Sequence, residues 1–73
     1  MTKPEFLDQL AELLDEAPGS LKGEEPLETL EGWNSIALVS FMAMADEHFG
    51  VHISPKQFGA CTKVNDLAKL VNL

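Results

Sequence analysis

The sequence has one cysteine, no tyrosine and few positive charges. A single Cys61 rules out an internal disulfide, the device on which most secreted domains of this size depend. Nor does Cys61 stand near another cysteine or a histidine at metal-ligand spacing, and His48 with His52 would offer only two ligands, too few for a zinc site. Cys61 is therefore read as a small buried thiol. No glycine-rich phosphate loop is present. The Ser–His pair formed by Ser54 and His52 has no acid placed to orient it, so intrinsic enzymatic activity is not expected. Twelve acidic residues against five basic ones leave a net charge of -7. That balance disfavours nucleic acid, which is bound by basic groups displacing counterions from phosphates, and it disfavours an anionic membrane surface. No apolar run approaches the ~20 residues needed to span a bilayer. Met1-Thr2-Lys3-Pro4-Glu5 lacks the basic start and apolar core of a signal peptide, so the expectation is a soluble, cytoplasmic protein. Repeats, low-complexity runs, linkers and the sustained alternation of a strand are likewise missing.

The 73 residues are 45% hydrophobic, ordinary for a globular chain and too apolar for disorder. The length allows one domain, residues 1–73, which buries only about 60% of its unfolded surface. The acidic surface favours solubility and partners with basic patches.

The pattern predicts an all-α fold: a small bundle of three longer helices and one short third helix, with a long first loop. The first helix runs from about Lys3 to Leu14. Thr2 and Glu5 form a capping box, Pro4 fits the first turn, and Phe6, Leu10, Leu13 and Ala17 recur at helical spacing. Ala17-Pro18-Gly19-Ser20 stops it. A connection to about Asn34 follows, broken by Gly19, Gly23, Pro26 and Gly32. Leu21, Leu27, Leu30 and Trp33 give it apolar anchors, and residues 27 to 30 fit a brief turn. The second helix spans about Ser35 to Phe49, with Asn34 or Ser35 able to cap it, and stops at Gly50. Val39, Met42, Ala45 and Phe49, widened by Leu38 and Phe41, are expected to form its inner face. Ser54-Pro55 signals the short third helix, ending near Gly59. Val64, Leu67, Ala68 and Val71 mark a last helix from Val64 to about Asn72, with Asp66 suited to its first turn.

One place invites chemistry. Glu31-Gly32-Trp33-Asn34-Ser35-Ile36 puts Ser35 at a loop-to-helix junction, with Gly32 keeping the approach open. Read from composition alone, Ser35 is an N-cap, a common use of serine. The surrounding residues add more. Gly32-Trp33-Asn34-Ser35-Ile36-Ala37-Leu38-Val39 resembles the attachment motif of acyl carrier proteins, typically an aspartate, a serine and a leucine opening the second helix. Asp46-Glu47-His48-Phe49-Gly50-Val51-His52-Ile53 resembles that family's acidic helix end, Phe and buried Ile, and Thr62-Lys63-Val64-Asn65-Asp66-Leu67 resembles the start of its last helix. The resemblance covers nearly the whole chain, without a gap between Ser35 and Val64.

The resemblance implies that Ser35 carries a covalent 4'-phosphopantetheine, transferred from coenzyme A by a separate magnesium-dependent carrier-protein synthase. Acyl groups would be held on the arm as thioesters, at high effective concentration near acyl-loading and acyl-processing enzymes. Trp33, Asn34, Ile36, Ala37, Ser40 and Ala43 would face those partners, with Ile36, Ala37, Ser40 and Ala43 on an exposed face beside the serine. Trp33 also reads as a packed loop anchor. The resemblance leaves room for the acyl chain to enter partly between the second and third helices. Two residues depart from the pattern: Asn34 replaces the aspartate and Ile36 the leucine. The second helix also has few acids on its exposed side, which points away from bulk fatty-acid synthesis and towards a specialised fatty-acid, polyketide or related pathway. An aminoacyl or peptidyl carrier, and an unmodified helical interaction module, are the alternatives. A helix-turn-helix nucleic-acid domain is disfavoured by the acidic charge and by so apolar a second helix. A monomer is expected.

Overall fold

The computed structural model describes Met1–Leu73. Helix α1 covers Lys3–Leu13, α2 Ser35–Phe49 and α3 Val64–Leu70, with 3-10 turns at Leu27–Thr29 and Pro55–Ala60. The all-α bundle with a long first loop is as the sequence predicts. The third element is a 3-10 turn rather than an α-helix, however, and α3 stops two residues short of Asn72.

Local chemistry explains the ends of these elements. The Thr2 hydroxyl accepts the Glu5 N–H at 3.3 Å, and the Glu5 carboxylate accepts the Thr2 N–H at 2.9 Å. The Thr2 N–H, followed by the Thr2 hydroxyl, which also donates to that carboxylate at 2.9 Å, holds the Glu5 carboxyl below its ordinary pKa, as expected when hydrogen bonds favour the charged form. The α1 backbone ends as Asp15 turns to φ 62°, and the Asp8 carboxylate accepts the Gly19 N–H at 3.1 Å, folding the chain back. Gly50 ends α2 in the left-handed conformation, φ 65°, where glycine carries no Cβ penalty.

The long loop is tied to α3 by a backbone strap. Leu27 N–H donates to the Thr62 carbonyl at 2.9 Å, Val64 N–H to Glu25 at 3.1 Å and Asn65 N–H to Gly23 at 2.8 Å. The Glu25 carboxylate accepts the Lys22 and Gly23 N–H groups, both at 2.8 Å, and Glu24 accepts from the Asn65 amide at 2.8 Å. A Cβ at Gly23 would run into the Asn65 side chain, at a φ of 115°. Leu21 and Leu27 then fall into the core, as their loop-anchor role requires.

The core is formed by Phe6, Leu10, Ala11 and Leu14 of the α1 region, Ala37, Phe41, Met44 and Ala45 of α2, Ile53, and Val64, Leu67, Ala68 and Val71 of the α3 region, with the two loop leucines. Phe6 meets Phe41 and Phe49 edge-on, centroids 6.0 and 6.1 Å apart. The inner face of α2 differs from the expected one. Val39 is 63% exposed, and Met42 and Phe49 are only partly buried, while Ala37 and Met44 turn inward. Apolar residues run round the whole circumference of α2, so its sequence does not select a face. Packing selects it: Ala37, Phe41 and Ala45 form an i, i+4, i+8 ridge on which the Phe6 ring can sit. Cys61 is half-buried rather than buried. Burial, followed by the nearby Asp66 charge, pushes its thiol pKa up.

Candidate functional site

The approach to α2 is seated on the end of α1. Trp33 N–H donates to the Leu30 carbonyl at 3.0 Å, and a Cβ at Gly32 would collide with the Leu14 carbonyl. That collision is with backbone, so no rotamer change relieves it, and glycine is required by proximity alone. The close approach fixes where α2 begins.

Asn34 is the N-cap. Its Oδ1 accepts the Ala37 N–H at 3.0 Å, and its backbone is extended at φ -135°. Ser35 is consequently the first helical residue, not the cap. Its side chain is exposed, and its hydroxyl makes no hydrogen bond within the protein. The Ser35 and Ile36 N–H groups, two of the four that a helix start leaves unpaired, also have no protein partner. The first turn of α2 contains no acidic residue. A free hydroxyl therefore stands at the positive end of a 15-residue helix with two free donors beside it, an arrangement that favours an anion.

The residues expected around the serine divide. Asn34, Ile36, Ala37 and Ser40 line one shallow cleft of about 300 Å³ against Leu13 and Leu14. Ile36 is 75% exposed, and Ser40 and Ala43 are exposed. Ala37 is not on the exposed face: it is 4% exposed and forms part of the core, because it lies on the ridge with Phe41. Ala43 lies outside this cleft. Trp33 is half-buried on the other side of the junction, stacked edge-on against Phe41 and Phe58 at 6.3 and 5.8 Å. It lines a separate cleft with Leu27, Cys61 and Lys63. Phe58 is a residue that sequence reasoning passed over. The signal for it was an aromatic three positions after Pro55, inside a turn capped by Ser54 and Gln57.

A family model described as the phosphopantetheine attachment site matches residues 4–71. The chain belongs to this family. Neither the curated proteins nor the solved structures yield a match.

Members of the phosphopantetheine-attachment family are carriers, not enzymes; they bear their substrates on a covalent 4'-phosphopantetheine arm. The junction fits such a group. The free hydroxyl offers an oxygen for a phosphodiester, the unpaired N–H groups offer donors to its charge, and no carboxylate in the first turn opposes it. When attached, the arm supplies a terminal thiol that carries cargo as a thioester. Membership also brings two kinds of partner, the phosphopantetheinyl transferase that adds the arm and the enzymes that act on the cargo. No helix is long and apolar enough to cross a membrane.

Proposed function

We propose that Ser35 is the residue that carries the arm, and that the protein is a dedicated carrier of acyl intermediates in a specialised fatty-acid, polyketide or related pathway. The observation that supports Ser35 most directly is that Asn34 takes the capping bond. The serine is thereby relieved of the structural task that most often explains a serine at a helix start. Its neighbours hold it at a defined place: Gly32 against Leu14 behind it, Ala37 in the core ahead of it.

The specialised role is supported by the face that α2 turns outward. Ile36 and Val39 are 75% and 63% exposed, and Ser40 and Ala43 share that side. The only acids of α2 are Asp46 and Glu47, in its final turn. Partner enzymes would meet this face through apolar contact near Ser35, with Asn34 and Trp33 at its edge and the buried Ala37 beneath it. Charge pairing would be confined to the far end. The same face suits an aminoacyl or peptidyl carrier, whose partners would also need little acidic guidance. A single half-buried cysteine supports a reducing, cytoplasmic setting, and the gathering of most large apolar side chains into one core, Ile36 and Val39 apart, supports a monomer.

Incubation with coenzyme A and a broad-specificity phosphopantetheinyl transferase, followed by intact-mass measurement, tests the assignment. The wild-type chain is expected to gain one phosphopantetheine and the Ser35→Ala chain none. A gain that survives Ser35→Ala, or no gain in the wild type, refutes it.

A further inference from the structure

On the inner side of the junction, three aromatic rings touch in a closed set. Trp33 and Phe41 lie 6.3 Å apart at 81°, Trp33 and Phe58 5.8 Å apart at 62°, and Phe41 and Phe58 5.7 Å apart at 76°. Every pair is edge-to-face, the arrangement aromatic quadrupoles favour. Phe41 is fully buried and is backed by Phe6, itself fully buried, at 6.0 Å. From these contacts we propose that Trp33, Phe41 and Phe58 close the space between α2 and the Pro55–Ala60 turn, so that the carried group stays outside the helical core. The inference rests on attachment of the arm at Ser35.

Position and stiffness both support it. Trp33 stands two residues before Ser35, and Phe58 packs against both Trp33 and α2 from the Pro55–Ala60 turn. A chain entering there would have to part rings that already satisfy one another. Phe58 is held on a braced turn: Pro55 opens it, the Gln57 side chain accepts the Ser54 N–H at 2.8 Å, and the Cys61 N–H donates to the Phe58 carbonyl at 3.0 Å. The two clefts beside the junction open at the surface and carry charged groups, Asp15 in one and Glu24, Glu28 and Lys63 in the other. Neither matches a long alkyl chain. The cargo that follows is a short or polar acyl group, because each apolar methylene left in water is unfavourable.

The full chain loaded from acetyl-, hexanoyl- and decanoyl-coenzyme A by a phosphopantetheinyl transferase tests this. Intact mass of the wild-type and Ser35→Ala chains first reports loading and its dependence on Ser35. A chain that takes no mass refutes the attachment reading and this inference with it, and that outcome is recognised before any melting curve is read. With loading shown, Tm is expected to be independent of acyl length, and the aromatic and methyl NMR signals of the core to stay in place. A Tm that climbs from acetyl to decanoyl, with shifted Phe41 signals, overturns the proposal. Phe58→Ala is expected to admit the chain, so that decanoyl loading now raises Tm above acetyl loading. If this variant folds and still shows no length dependence, the three rings are not what excludes the chain, and the assignment fails. The wild-type series decides the matter even if Phe58→Ala does not fold.

Discussion

Substitutions at Asn34 separate the cap from the attachment chemistry next to it. The Asn34 side chain makes one hydrogen bond, accepting the Ala37 N–H at 3.0 Å, and is otherwise exposed. Asn34→Ala removes the acceptor and leaves that N–H unpaired on a residue only 4% exposed. Loss of an N-cap costs about 0.5–2 kcal/mol, and an unpaired group away from water belongs in the upper half of that range, about 1–2 kcal/mol. For a domain of this size each kcal/mol moves Tm by about 4–8 °C, so a fall of roughly 5–15 °C is expected. Asn34→Asp keeps the acceptor and adds negative charge at the positive end of α2, a gain of about 0.3–1 kcal/mol in the unmodified protein. Once a phosphodiester sits on the next residue, like-charge repulsion should shrink or reverse that gain. Circular-dichroism melts of the three chains, with and without the arm, measure both effects. Ser35→Ala is the control, expected within about 0.5 kcal/mol of wild type because its hydroxyl holds nothing. If Asn34→Ala melts like wild type and Ser35→Ala loses the stability instead, the serine is the cap and the reasoning about the junction is wrong.

Phe41→Ala should be the most damaging core truncation, about 3–5 kcal/mol, because the ring is fully buried and touches three others; a loss below 1.5 kcal/mol by urea titration would contradict its central place. Gly32→Ala forces the 31–34 turn off the Leu14 carbonyl and should cost about 1–3 kcal/mol, with slower arm transfer to Ser35; unchanged stability would mean the approach is looser than described. Asp66 is held below its ordinary value of 3.8, first by the Thr62 N–H, then by the Thr62 hydroxyl and the Lys63 N–H. A carboxyl depressed on folding stabilises above its unfolded pKa and ceases to as pH falls through the folded one. Asp66→Asn should therefore melt lower than wild type at neutral pH, the gap closing as the pH drops below 3.8; a pH-independent gap would point to lost packing instead.

The start of α1, the stop of α2 and the start of the Pro55–Ala60 turn were legible because the chemistry that sets them is local. Thr2 with Glu5, Ser54 with Pro55, and Gly50 each act within one turn, and a short stretch of sequence contains the whole cause. The inner face of α2 was not legible. With Val39, Met42, Phe41 and Met44 spread around the helix, several faces are equally apolar, and Phe6, far earlier in the chain, decides among them. The junction was half legible. The run from Gly32 to Val39 points to Ser35, but it leaves Asn34 and Ser35 equally able to cap the helix, and only the bond from the Ala37 N–H assigns that task to Asn34. Ala37 reads as a surface residue and is core for the same reason that Val39 is not. Phe58 went unnoticed because its importance lies in contacts with Trp33 and Phe41, which no short window of sequence contains.

The strap between the loop and α3 gives two distant stretches of chain a common fate. Glu24 and Asn65 are 41 positions apart, yet the amides of Leu27, Val64 and Asn65 are bonded across the same seam. In amide exchange they should behave as one cooperative unit, opening together. The loop leading to Ser35 then owes its order to α3 as much as to its own residues. A fluctuation that peels α3 away would also free the loop ahead of the serine, so order at the head of α2 depends on the last helix of the chain.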